Sequence, residues 1–236
     1  MTVVLIEPRF NGPPDSGNGG YSAGLVAAAL PPGNGIPEVT LRSPPPLGRE
    51  LRVESRGDGI AVLDGDTLVA EAARVAGGLN SPAAVDFETA ATASGHYLGF
   101  HEHPYPSCFV CGPERTEGDG LRIFPGAVPE RGIVAAPWVP DHSVADEAGV
   151  VREETMWAAL DCPSWFGFGA FESWEGRPLL GRLAAELIAL PRAGDRLVSV
   201  AWPSSRDGRK VHVGAAVYTE DGSLLARSRA TWLIVP

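Results

Sequence analysis

Residues 18–30, Asn-Gly-Gly-Tyr-Ser-Ala-Gly-Leu-Val-Ala-Ala-Ala-Leu, carry hardly a polar side chain on any helical face. A helix that is apolar all round is buried all round. In a small domain the simplest cover for such a helix is a curved antiparallel sheet. The pattern that follows supplies one: short strand-like runs at 39–43, 51–55, 59–63 and 68–75. They are divided by Pro44-Pro45-Pro46-Leu47-Gly48, Gly57-Asp58-Gly59 and Asp64-Gly65-Asp66. Asp-Gly between strand patterns is a hairpin signal.

The same order of events begins again at 153–162, Glu-Glu-Thr-Met-Trp-Ala-Ala-Leu-Asp-Cys. Strand patterns follow at 196–202, 211–219 and 224–235, and 121–124 with 132–139 predicts an opening hairpin before the helix. In the last strand Arg227, Arg229 and Thr231 alternate with Ala226, Ser228, Ala230 and Trp232, a period of two. Overlaying the two passages sets Ala23 on Ala158 and Leu25 on Leu160, an offset of 135 (158 − 23). Pro45 then meets Pro191 at 146 (191 − 45), and Ala70 meets Ala226 at 156 (226 − 70). A period this long indicates a duplicated domain, since solenoid repeats run about 20 to 50 residues. The predicted organisation is a first repeat over 1–79, a connecting segment over 80–117 with a short helix near 86–94, and a second repeat over 118–236. Each repeat alone has a small core, so the two are expected to pack together.

Composition narrows the partners. With 236 residues, 44% of them hydrophobic, and a net charge of −10, neither nucleic acid nor an anionic membrane surface is expected as partner. The start of the chain lacks signal-peptide features, and no run reaches the roughly 20 apolar residues of a membrane span. Three cysteines do not make a disulfide framework, so a cytoplasmic protein with reduced thiols is expected.

The apolar helix opened by Gly19-Gly20, the Pro44-Pro45-x-x-Gly48 turn before a strand, and the closing Ala226-Arg-Ser-Arg-Ala-Thr-Trp-Leu233 resemble the hotdog fold. The closer resemblance is to fused, double-hotdog acyl-CoA thioesterase-like proteins. It implies an α+β fold of two tandem hotdog domains, each a curved antiparallel sheet around a central helix, paired as a pseudo-dimer. It also implies a site for an acyl thioester, on CoA or a carrier, between the repeats. The fold serves dehydratases, hydratases and non-catalytic acyl binders as well. Dehydratase or hydratase chemistry wants a positioned His, and neither helix contains one. Non-catalytic thioester binding or a scaffold role stays open, and the internal pair could act alone or as a homodimer.

Asn18-Gly19-Gly20 resembles the Asn-Gly-Gly that opens the central helix in such proteins. Bare N–H groups at a helix start can polarise a thioester carbonyl and hold an oxyanion; Gly-Gly also simply permits a tight helix entry. Asp161 falls opposite Val26 in the overlay, so one repeat has a carboxylate where the other does not. The resemblance makes Asp161 a general base or nucleophile facing Gly19 and Gly20. The alternative is an Asp capping a turn before Pro163, where the helix is expected to break or bend. Asn18, Tyr21, Trp157 and Trp165 are the candidate substrate contacts, within an aromatic cluster that includes Phe166, Phe168, Phe171 and Trp174. The reciprocal site, Val26 against Glu153-Glu154-Thr155, lacks both acid and glycines.

Cys108-Phe-Val-Cys111-Gly112 has the form of a zinc knuckle, with His101 and His103 upstream, but no second Cys-x-x-Cys follows. A packed turn is the expectation, with no metal and no cofactor beyond a CoA carried by the substrate; Cys162 reads as a small buried hydrophobe. Arg115, Arg122, Arg206, Arg209 and Lys210 are either CoA-phosphate contacts or surface charge.

Overall fold

A computed structural model describes residues 2–236. Eleven antiparallel strands form one sheet, and three α-helices pack on it. The first half contains β1 (Val3–Leu5), α1 (Gly19–Ala28), β2 (Ile36–Leu41), β3 (Glu50–Arg56), β4 (Gly59–Asp64) and β5 (Thr67–Val75). After α2 (Phe87–Ser94) come β6 (Gly126–Val128), β7 (Ile133–Trp138), α3 (Glu153–Gly169), β8 (Arg177–Leu187), β9 (Leu197–Asp207), β10 (Lys210–Thr219) and β11 (Leu224–Val235).

The order across the sheet is β1-β3-β4-β5-β2-β8-β11-β10-β9-β7-β6. Read outward from the centre, each half gives the four strands after its helix in the order first, fourth, third, second, and then the strand before the helix. The halves join where β2 pairs with β8, Glu38 opposite Ala184 and Thr40 opposite Arg182. At an offset of 146 (184 − 38), which is also the offset of the Pro-Gly turns, Glu38 faces its own counterpart. The strand ends agree: Ala70 pairs with Leu41, and Ala226 with Leu187. Arg182 and Arg229 both reach Glu38 across the seam, at 3.6 and 3.3 Å.

Period-two alternation decides which face each residue covers. On β7, Val134, Ala136 and Trp138 enter the main core with α3, while Ile133 and Ala135 enter a second cluster with Ala90 and Ala93 of α2. The sheet is therefore buried on both faces along β7, at Leu197–Ala201 of β9 and at Val213–Tyr218 of β10. The connecting segment supplies the back cover through α2, and Tyr97, Phe109 and Val110 to the main core. No helix among the described residues is long and apolar enough to cross a membrane.

Helices α1 and α3 cross at very close range. Gly20 and Gly24 lie one turn apart on α1, and a Cβ on Gly24 would stand 2.6 Å from Glu154 Cα. Two side-chain-free positions let the backbones meet, so each helix is one wall of the other's burial.

Two expectations are corrected. Residues 121–124 form no strand; the hairpin partner of β7 is the three-residue β6. The segment between the aromatic cluster and Pro191, where the sequence predicts no element, forms the eleven-residue β8. Helix α3 also does not stop at Pro163 but runs on to Gly169. Pro163 forfeits one helical N–H bond, and the next residue adds a replacement contact, the Ser164 hydroxyl donating to the Asp161 carbonyl at 2.6 Å. The Trp232 indole N–H of β11 in turn donates to Ser164 Oγ at 2.8 Å. The helix is thus fastened to the sheet just beyond Asp161.

Candidate functional site

Asn18 opens α1 as its N-cap, its Oδ1 accepting the Tyr21 N–H at 2.9 Å. That bond orients the amide so that Nδ2 donates to Asp161 Oδ2 at 3.1 Å. The Gly20 N–H donates to the same oxygen at 2.8 Å. The start of α1 therefore holds a carboxylate of α3. Asp161 is 1% exposed, and its second oxygen, Oδ1, is buried with no hydrogen-bond partner. Burial pushes the Asp161 carboxyl up to about 7, against the opposing pull of the Gly20 N–H and the Asn18 amide.

Asp161 stands in the wall of a cavity of about 650 Å³, within the size range of small-molecule sites. Leu41, Leu179, Leu180, Trp165, Phe166 and Trp232 give it an apolar lining. Trp165 is fixed edge-on to Trp174, ring centroids 4.9 Å apart. Arg42 and Arg177 also border the cavity.

Of the residues singled out in the sequence, Asn18, Gly19, Asp161 and Trp165 line the cavity. Gly20 lies beside it, but its N–H is bound to Asp161, so it positions the carboxylate instead of standing free for an oxyanion. The Gly19 N–H has no partner among the described residues. Tyr21 and Trp157 are not in the cavity wall: Tyr21 stacks on Phe10 at 3.9 Å in the core, and Trp157 packs under Gly20 and Gly24 of α1. Val26 and Thr155, at the reciprocal position, are buried and line no part of it. Arg115, Arg122, Arg206, Arg209 and Lys210 do not border it either. Arg115 is bound instead to Asp119 and to the carbonyls of Arg9 and Ser107, holding residues 107–119 against Arg9 in the first half of the chain.

Sequence reasoning missed the contribution of the connecting segment. His103, Tyr105, Cys108 and Cys111 line the cavity, and Cys162 of α3 joins them. The sulfurs of Cys108, Cys111 and Cys162 all lie within 4.8 Å of one another, with Cys108 and Cys162 3.6 Å apart. The signal was present in the Cys-x-x-Cys spacing, but the third thiol is 51 residues further on (162 − 111) and only the tertiary fold brings it in.

No protein-family model and no curated protein matches the chain. Solved structures do. The tesB protein of Mycobacterium avium subs paratuberculosis is 14% identical, with 99% of this chain and 92% of that one covered, at a TM-score of 0.61. A protein from Novosphingobium aromaticivorans, named provisionally as a thioesterase, is 13% identical, with 99% and 95% covered, at 0.61. At such identities the likeness is one of fold: the chain has, over nearly its whole length, the fold of these thioesterase-named proteins.

Proposed function

We propose that the chain is an acyl-thioester hydrolase made of two hotdog repeats, 1–79 and 118–236, paired through β2 and β8 with a connecting segment at 80–117. The observation that carries this reading is Asp161: one carboxylate oxygen is held by the N-terminus of the opposite helix and the other is unpaired, in the wall of an apolar cavity. A structural capping Asp satisfies a neighbouring N–H of its own chain segment; this one is held by residues more than 140 positions away.

In this reading the acyl chain occupies the space lined by Leu179, Leu180, Trp165 and Phe166, and Arg42 and Arg177 meet the anionic end of a CoA or carrier group. The ionised Asp161 takes a proton from water as the water oxygen attacks the thioester carbon. The C–S bond then breaks, and the thiolate leaving group takes up the proton. The Gly19 N–H, in the cavity wall and without a partner among the described residues, is the donor this reading assigns to the developing oxyanion, since Gly20 is already engaged. Attack by the Asp161 oxygen itself, giving an anhydride that water then opens, is the nucleophilic variant. A panel of acyl-CoA and acyl-carrier thioesters, followed by release of free thiol, tests the activity. No turnover with tight binding would identify an acyl-thioester binder instead.

The pH profile follows from the raised carboxyl. The base works ionised, so kcat/KM should climb about tenfold per pH unit on the acid side and level off above pH of about 7. An acid limb centred near the ordinary carboxylate value of 3.8 would mean that Asp161 is not the titrating base.

A further inference from the structure

Three cysteines meet beside the cavity, two from the turn of the connecting segment and one from α3. All three are free and buried, at 2%, 3% and 6% exposure for Cys108, Cys111 and Cys162. Tetrahedral zinc holds sulfur at about 2.3 Å, which sets neighbouring thiolates about 3.8 Å apart. The 3.6 Å between Cys108 and Cys162, with all three sulfurs within 4.8 Å of one another, approaches that spacing with no backbone rearrangement.

Hydrogen-bond donors are aimed at the sulfurs. The turn is closed by the Gly112 N–H donating to the Cys108 carbonyl at 2.9 Å, and a Cβ on Gly112 would stand 2.5 Å from the Cys108 nitrogen, so the knuckle admits no side chain there. Asn18 Nδ2 points at the Cys162 sulfur at 3.5 Å and the Cys108 sulfur at 3.8 Å. His103 is placed as a donor: its Nδ1 accepts the Tyr105 N–H at 2.9 Å, so the proton of the neutral ring sits on Nε2, 3.3 Å from the Cys111 sulfur. A ring in that tautomer supports a thiolate and does not ligate. His101, the other candidate from the sequence, is exposed.

We propose that Cys108, Cys111 and Cys162 bind one Zn²⁺ as thiolates, with the fourth position of the ion open to the cavity and His103 donating to the Cys111 sulfur from outside the coordination shell. Binding displaces the thiol protons to solvent, leaving the metal oxidation state unchanged. The ion ties the connecting segment to α3 one residue from Asp161. The assignment stands independently of which acyl thioester the cavity takes.

The test is metal content of the full-length protein purified without chelator, together with Co²⁺ titration of the reduced, metal-stripped protein. One zinc per chain and an intense near-ultraviolet thiolate-to-cobalt band are expected. Cys162→Ser should lose both; His103→Ala should keep the stoichiometry and lose about 10–100-fold in affinity. If His103→Ala loses the metal as completely as Cys162→Ser, the ring is a ligand and the open position is overturned. Reduced wild-type protein that neither contains zinc nor develops the cobalt band overturns the site. Wild-type cobalt binding decides the matter even if a variant fails to fold.

Discussion

Asp161→Asn should abolish thioester turnover, by about 10²–10⁴-fold, and make the protein more stable at neutral and alkaline pH. The substitution keeps the shape. The asparagine oxygen can accept from the Gly20 N–H and the Asn18 amide as Oδ2 does now, and its NH₂ falls where the unpaired Oδ1 lies. What disappears is a buried charge. The folded state holds the Asp161 proton more tightly than the unfolded chain, with a carboxyl near 7 against 3.8. Wild-type stability from this group is therefore fully present below pH 3.8 and is lost as pH rises through about 7. The span corresponds to about 4 kcal/mol as an upper bound, and a gain of about 1–3 kcal/mol for the variant at pH 8 is the expected result. Denaturant unfolding of the metal-stripped, reduced proteins from pH 4 to 8 reads it: the curves of wild type and variant should separate on the way to pH 7 and run parallel above. Unchanged turnover would remove Asp161 from the chemistry, and a stability gap that does not widen with pH would remove the buried charge.

Gly20→Ala should do the opposite to the fold. The added methyl collides with Asp161 Cβ and lies 2.6 Å from the Trp157 carbonyl oxygen and 3.0 Å from Ala158 Cα. Those are backbone or backbone-adjacent atoms and cannot rotate aside, so the helices must separate. Overpacking of this kind costs about 1–3 kcal/mol. The separation also draws the Gly20 N–H off Asp161, so the variant should lose turnover more than its residual folded fraction explains. Gly77→Ala is the control: its methyl meets only Ile36 Cγ2 at 3.6 Å, an ordinary contact. Thermal melts of the two, with the wild type alongside, should show Gly77→Ala near the wild type and Gly20→Ala several degrees below. Equal melts would mean that the crossing is looser than its glycines indicate.

Much of this was legible along the chain because it is local. Asn18 capping an all-apolar helix, the Asp-Gly hairpins and the alternation of β11 each depend on neighbours in sequence, and β11 occupies 224–235 as its pattern predicts. Strand β8 was illegible for a local reason as well. Arg177-Pro-Leu-Leu-Gly-Arg-Leu-Ala-Ala-Glu-Leu187 lacks β-branched residues, contains Pro and Gly, and ends in helix formers. It is a strand because β2 and β11 flank it with hydrogen-bond partners on both edges. Pro163 misled in the same way, its helix-breaking tendency outweighed by tertiary burial and the Ser164–Trp232 contacts. At the site, the overlay of the repeats brought Asp161 to notice. It could not show that Gly20 is spent on holding it, nor that Cys162 meets Cys108, since both depend on how the two helices cross.

The Asp161 carboxylate and the helix start that holds it belong to one covalent chain. Were they on separate molecules, each would have to find the other, and the fraction of assembled centres would fall with dilution. Here the connecting segment fixes their effective concentration, which total protein concentration does not alter. Specific activity should accordingly be the same at nanomolar as at micromolar enzyme, and a cell making few copies of this protein would lose none of them to dissociation of the two halves.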